Sequence, residues 1–406
     1  MSSLYSFMLY TISMSEYTVR KLKIGNNQQM GELALAAGEL YSRTVVSFWR
    51  TVRNKGLWLK PSSMMRWHNS DSLHAHSADA VVQSFYASLK SWRSRRKADP
   101  NAHPPRRRRR FFKVQWKSSA IKVKNGKLQL SNGKGNAPLI IDWNWETPKL
   151  VEMGWDGEQY EIRACYAVTP VQPANSGTVA GIDLGEIHLA VAHDGAQTFI
   201  LNGRLLRSKR QYQNKLKAKL ASLVDTKKRG SKNRKRLVRS KQRQLAKVKN
   251  QIKDILHKQT SKLVSTLKSR GVQTLAIGDV RDIRARIDFG TKSNQKLHQW
   301  SHGETRTFLT YKAQRMGMKV EIQCEKYTSQ TCPSCGQRHK PKNRTYKCKC
   351  GFEFHRDGVG SINIRRKYLG CFDVPVVGVM AAPTGLRFRP HSKCSSVCLG
   401  TCERSR

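Results

Sequence analysis

Acidic residues are scarce in this chain: 27 Asp plus Glu stand against 76 Lys plus Arg among 406 residues, a formal net charge of +49 at pH 7. That imbalance excludes a self-neutralising surface and requires a polyanion. Counterion release makes nucleic acid the natural partner of such a field, ahead of an anionic membrane or polyphosphate. Long hydrophobic runs are also missing. Nothing approaches the roughly 20 apolar residues of a membrane span. The one apolar N-terminal stretch, Leu4 to Met14, lacks the basic region and small-residue cleavage site of a secretory signal. A cytoplasmic or nuclear location with no membrane partner is expected, with Met14 as an alternative start. Packing material is present: 38% hydrophobic residues and nine tryptophans argue that most of the chain packs, against a disordered basic protein. At about 150 residues per domain, the length predicts two to three domains. In a reducing compartment the ten cysteines are expected to be metal ligands and buried thiols, not disulfides.

Periodicity orders the first half. Apolar residues recur at helical spacing through Leu33, Ala36, Leu40, Val45, Phe48 and Trp49, and again through Ala80, Val81, Phe85, Leu89 and Trp92. A strand-like Tyr17 to Ile24 precedes them. Short strands from Phe111 to Val168, punctuated by Asn125-Gly126 and Asn132-Gly133, follow. Strand, helices, then strands predict a small β-barrel interrupted by a helical lobe.

The second half changes character. Thr178 to Leu184, Leu189 to His193 and Thr198 to Leu201 read as three strands, with a turn at Asp194-Gly195. Between Arg204 and Lys249 lie nineteen Lys or Arg and one acid, Asp225, broken around Gly230 into two helices. A helix ending at Gly271 then feeds the strand Thr274 to Ile277. A second, opened by a capping box at Ser301-x-x-Glu304 and ending at Gly317, feeds Lys319 to Gln323. Three antiparallel strands followed by two helix–strand crossovers give a mixed α/β domain in the order of the RNase H fold. Sites in open α/β sheets collect at the carboxyl edge of the strands.

Two carboxylates are delivered to that edge. Asp183 closes the first strand in Gly181-Ile182-Asp183-Leu184-Gly185, where an ionised group among apolar neighbours is costly unless paired or metal-bound. Asp357 opens a last helix in His355-Arg356-Asp357. Each alone reads equally well as a turn aspartate or a helix N-terminal charge; together they suit Mg²⁺ (or Mn²⁺) chemistry on phosphodiesters. Cys332-Pro333-Ser334-Cys335 and Cys348-Lys349-Cys350 supply four thiolates in two pairs for a tetrahedral Zn²⁺. Four thiolates leave no open position for water, so this zinc is expected to be structural.

The motifs Gly181-Ile182-Asp183-Leu184-Gly185, Tyr327-Thr328-Ser329-Gln330-Thr331-Cys332-Pro333-Ser334-Cys335-Gly336, and His355-Arg356-Asp357 with Ile362-Asn363-Ile364 resemble the TnpB (OrfB) family of insertion sequences, relatives of type V CRISPR effectors. The resemblance runs over roughly residues 178 to 370. It implies an RNA-guided DNA endonuclease with guide RNA and target DNA as partners. The implied organisation is a wedge barrel over 1–175 with a recognition lobe at about 28–100, and a RuvC nuclease over 176–327 and 353–370. A zinc ribbon at 328–352 and a tail at 371–406, flexible or loosely docked, complete it. Asp183 and Asp357 are by resemblance the first and last RuvC acids. The chain departs from the family at the middle acid, where Gly278 in Ile277-Gly278-Asp279 stands in place of a glutamate. Glu325, ending the neighbouring strand, is expected to reach the site through the space Gly278 leaves. Asp279 is the alternative, provided that its strand has already ended.

Cations are expected to grip nucleic acid at Arg106, Arg107, Arg108, Arg109 and Arg110, and at Lys227, Lys228, Arg229, Arg234, Lys235 and Arg236 between the basic helices. Trp143 and Trp145 are expected in the core before any base-stacking role. His391 with Cys394, Cys398 and Cys402 has the composition of a second metal site, but no strand framework surrounds it. Two other readings share the carboxylates: a cleavage-dead RNA-guided repressor, suggested by Gly278, and an RNase H-like transposase without guide RNA.

Overall fold

In the computed structural model, the described residues are 17–25, 27–107, 110–169, 171–173, 177–281, 290–341, 343–372 and 382–386. Contacts divide the chain into two units, Met1–Thr169 and Pro170–Arg406. Among the described residues no helix is long and apolar enough to cross a membrane.

The first unit is built on alternating and helical burial. Strand β1 (Tyr17–Ile24) leads into α1 (Gln28–Lys55), whose start is fixed by the Asn27 side chain accepting the Met30 N–H. Helix α2 (Pro61–Trp67) begins with proline, where a missing N–H costs nothing. Helix α3 (Ala75–Arg96) completes the lobe. Leu33, Leu40, Val45 and Phe48 of α1 and Val81, Phe85, Leu89 and Trp92 of α3 are buried, as their spacing predicts. The later strands are β2 (Val114–Lys117), β3 (Ile121–Lys124), β4 (Lys127–Leu130), β5 (Leu139–Asp142), β6 (Leu150–Trp155) and β7 (Tyr160–Ala167). They pair as two antiparallel sheets, β1-β7-β6-β2 and β3-β4-β5. The Asn125-Gly126 turn joins β3 to β4. Both sheets and the helices share one core. Trp143 lies in it, its Nε1 donating to the Glu146 carbonyl, with Trp145 edge-on at 4.7 Å between centroids. Both rings follow β5 and do not belong to a strand.

The second unit carries a six-stranded sheet. Its strands β8 (Thr178–Asp183), β9 (His188–His193) and β10 (Thr198–Asn202) are antiparallel neighbours. Then come α4 (Arg204–Asp225), α5 (Lys232–Ser269), β11 (Val272–Gly278), α6 (Thr291–Gln299), α7 (His302–Arg315) and β12 (Lys319–Gln323). A ribbon follows with β13 (Thr345–Lys347) and β14 (Glu353–His355), then α8 (Arg356–Tyr368) and β15 (Thr384–Leu386). Sheet order is β12-β11-β8-β9-β10-β15, with β11 parallel to both β8 and β12. The crossover units therefore bring the ends of β8, β11 and β12 to one edge, the arrangement read from the element order.

Three expectations are corrected. The capping box at the start of α7 does not form: the Ser301 hydroxyl and the Glu304 carboxylate both take the Arg210 guanidinium of α4 instead, a charge-assisted alternative to a backbone amide. The tail is not wholly loose, because β15 pairs in parallel with β10 and buries Leu386. Glu325 does not end its strand; β12 stops at Gln323, two residues earlier. The cluster of His391, Cys394, Cys398 and Cys402 lies outside the described residues, as do Arg108 and Arg109.

Candidate carboxylate and metal centre

Close backbone approach sets the site. Helix α8 lies against β8, where a Cβ on Gly181 would fall 2.2 Å from the Ser361 carbonyl oxygen and 2.5 Å from the Arg365 nitrogen. A side chain there would push the helix off the strand. Next to Ser361 on the same helix, a Cβ on Gly360 would meet Asp183 Oδ2 at 2.6 Å. Two glycines thus let the helix that opens with Asp357 rest on the strand that ends with Asp183.

Repulsion links the ionisation of these acids. Burial, then repulsion from Asp357, pushes the Asp183 carboxyl up from 3.8 to about 7. Glu325 rises from 4.5 to about 8, first through burial and then through Asp183 and Asp279. Asp357 moves the other way. Burial opposes its ionisation, but the His188 hydrogen bond and the charges of His355, His188 and Arg356 outweigh it and hold it below 3.8. His188 Nδ1 lies 2.8 Å from Asp357 Oδ2; since an ionised carboxylate only accepts, the ring N–H is the donor.

Glu325 occupies the space over Gly278. The three atoms nearest a Cβ at Gly278 all belong to Glu325: Oε1 at 1.9 Å, with Cδ and Cγ at 2.6 Å. Its Oε1 is buried and without a hydrogen-bond partner, which fits a cation ligand. Asp279, one residue past β11, is committed elsewhere. Arg281 forks onto its carboxylate and Arg306 approaches to 3.4 Å, so its carboxyl is held below 3.8.

The four ribbon cysteines also converge. Cys332 Sγ lies 3.7 Å from Cys350 Sγ, and Cys335 Sγ lies 3.5 Å from Cys348 Sγ. A tetrahedron of thiolates about 2.3 Å from zinc has sulfurs about 3.8 Å apart, so the donor set fits that ion. The tight Cys348-Lys349-Cys350 pair is accommodated by a turn in which the Cys348 N–H donates to the Phe352 carbonyl and the Gly351 N–H to the Cys348 carbonyl. Asn363 donates from Nδ2 to the Thr328 and Thr331 carbonyls, and Arg366 donates to the Pro333 carbonyl, tying α8 to the ribbon's entrance.

Of the basic candidates, Lys227, Lys228, Arg229, Lys235 and Arg236 are exposed around the α4–α5 turn. Arg234 is half-buried and spends its guanidinium on the Val224 and Lys227 carbonyls and on Asp225. In the other unit Arg106, Arg107 and Arg110 are exposed. His188 and His355 escaped the sequence reading. The His355-x-Asp357 spacing was a usable signal for one; nothing local marks the other.

Known proteins resemble this chain in both sequence and fold. The family described as "Probable transposase" (OrfB) matches residues 163–284, and that described as "Cas12f1-like, TNB domain" matches residues 302–364. A protein named "Putative RNA-guided DNA endonuclease" from Streptomyces pristinaespiralis is 28% identical over 296 residues, covering 70% of this chain and 66% of its own length. The "CRISPR-associated endodeoxyribonuclease Cas12f1" of Sulfoacidibacillus thermotolerans is 25% identical over 197 residues, 46% of this chain and 44% of its own. The chain thus spans less than two thirds of either relative. A Cas12f1 chain solved by cryo-EM in a complex with sgRNA and target DNA shares the fold, with a TM-score of 0.54 at 13% identity over 83% of this chain and 81% of that one. The resemblance to the TnpB (OrfB) family is borne out: the chain is similar, over these segments, to the family described as probable transposase (OrfB) and to Cas12f1-like proteins.

Proposed function

We propose that the chain is an RNA-guided DNA endonuclease of a transposable element, hydrolysing DNA phosphodiesters with Mg²⁺ (or Mn²⁺) held by Asp183, Glu325 and Asp357. The observation that carries the reading is Glu325: its orphaned, buried oxygen fills the space over Gly278 beside a second acid whose ionisation is opposed. Bound there, the ion supplies the charge that activates water and stabilises the leaving oxygen. The chain's own residues hold it: Asp183 from the end of β8, Glu325 from beyond β12, and Asp357 from α8 with its carboxylate oriented by His188. The two arginines on Asp279 favour Glu325 over it for the middle position.

Guide RNA and target DNA are the proposed partners. The exposed cations at the α4–α5 turn and at Arg106, Arg107 and Arg110 would neutralise phosphates, reading backbone shape while base pairing selects the target. Zn²⁺ in Cys332, Cys335, Cys348 and Cys350 would be structural. The first unit serves as wedge and recognition lobe, the second as RuvC nuclease with its ribbon insert.

The test is Mg²⁺-dependent cleavage of a target plasmid library by protein purified with its co-expressed flanking RNA, beside Asp183→Ala and Glu325→Ala. Cleavage lost in both variants with RNA still bound is the expected result. Target binding without cleavage by the unaltered protein would make it an RNA-guided repressor; cleavage or joining with no RNA bound would make it a transposase.

A further inference from the structure

Asp357 has nitrogen donors for neighbours as well as oxygen donors. One ligand atom from each of His188, His355 and Asp357 lies within 4.8 Å of the other two. His188, the first residue of β9, is buried, with Nδ1 at 2.8 Å from Asp357 Oδ2. His355, the last residue of β14, meets the His188 ring edge to face at 4.9 Å between centroids. Its Nδ1 is buried and has no hydrogen-bond partner. An orienting hydrogen bond accounts for the burial of His188, whereas no hydrogen bond accounts for the buried Nδ1 of His355. All three residues sit on or at the ends of regular elements, which fixes their mutual placement.

Two imidazoles and one carboxylate make a donor set for Mn²⁺, Fe²⁺, Co²⁺, Ni²⁺ or Zn²⁺, whereas Mg²⁺ prefers an all-oxygen shell. We propose that His188, His355 and Asp357 form a second divalent-cation position, selective for ions that accept imidazole nitrogen and sharing Asp357 with the oxygen cluster of Asp183 and Glu325. The ion takes the place of the proton between His188 Nδ1 and Asp357, which leaves to solvent. The two positions compete for one carboxylate, so the identity of the ion at the histidines governs how Asp357 serves the other acids. This inference rests on Asp357 being a cation ligand and not on cleavage.

The test uses the full chain, its four ribbon cysteines first filled with Zn²⁺, stripped of loosely held ions and titrated with Mn²⁺ in the absence of nucleic acid. Pulsed EPR reads directly bound nitrogen. Expected is Mn²⁺ with ¹⁴N coupling from two imidazoles, reduced to one in His188→Asn and in His355→Asn, and absent from the double variant, which still binds Mn²⁺ through oxygen. Mn²⁺ bound by oxygen alone in the unaltered chain, no Mn²⁺ bound at all, or coupling that survives in the double variant overturns the proposal. The single variants keep the test decisive where the double variant fails to fold. Absence of RNA-guided cleavage alongside an intact nitrogen coupling would remove the nuclease reading and leave this position standing.

Discussion

The sharpest perturbation is one carbon atom at Gly278. A Cβ there would fall 1.9 Å from Glu325 Oε1 and 2.6 Å from two more atoms of that side chain, and no other residue supplies its nearest contacts. Gly278→Ala therefore acts through Glu325. To restore ordinary contact the carboxylate must withdraw by about 1.5 Å, and a displacement of about 1 Å in a catalytic group costs on the order of 10²-fold in rate. Stability should move the other way or not at all, because alanine is favoured over glycine within a strand by about 0.5–1 kcal/mol. The assay is the single-turnover rate of target cleavage at saturating Mg²⁺, paired with thermal melting. A stable variant slowed by about two orders of magnitude is expected, and Gly278→Glu in a Glu325→Ala background should recover part of the loss by placing the acid on β11 itself. Unaltered cleavage by Gly278→Ala would refute the idea that Glu325 works from this space.

The carboxylates also predict a pH dependence. Folded pKa values near 7 for Asp183 and 8 for Glu325, against 3.8 and 4.5 unperturbed, mean that the native state holds protons the unfolded state has released. Without divalent ions, stability is thus greatest at low pH on this account and falls as pH rises towards about 8. The slope is read between pH 6.5 and 8 with zinc on the ribbon cysteines, because buried His193, pushed down to about 4, contributes with the opposite sign below 6.5, and Cys350, pushed down to about 7, would do so within the window if its thiolate were not held by the metal. Melting in Mg²⁺-free buffer should show the decline, and Asp183→Asn with Glu325→Gln should abolish it; an unchanged slope in that double variant would be fatal to the account. Replacing Lys227, Lys228 and Arg229 with glutamine should flatten the dependence of log affinity for duplex on log salt by about 2 to 3, since each phosphate contact contributes about 0.9. Parallel salt plots would place nucleic acid elsewhere. Cys332→Ser should lower bound zinc from one per chain to none by elemental analysis. It should also depress cleavage, because Val359 and Ile362 of α8 pack with Cys332, Tyr346 and Phe354 in one cluster; full zinc content in that variant would count against a four-cysteine site.

What the sequence made legible follows from how each signal is encoded. Helix and strand periods, the turn at Asn125-Gly126 and the crossover order are local patterns, and the chain builds them where the patterns stand. Pairings that depend on a distant competitor were not legible. Ser301 and Glu304 spell a capping box, yet Arg210, 91 residues before Ser301, outbids the backbone for both. Strand β15 depends on pairing with β10, and Gln197, the residue before β10, donates from Nε2 to the Thr384 hydroxyl across 187 residues. The carboxylate site lies between these cases. Gly278 reads from sequence as a missing acid, and only the register of β11 with β12, Gly278 opposite Gln323, shows why the loss is local. Glu325 lies two residues beyond that pair, free of the strand's alternation, so its side chain can fold back over the glycine. A glutamate bound into the strand would have had its direction fixed by the pleat. The position of the middle acid is thus set by where β12 stops, and a variant that extends β12 through residue 325 should remove the carboxylate from the site even with every acid present.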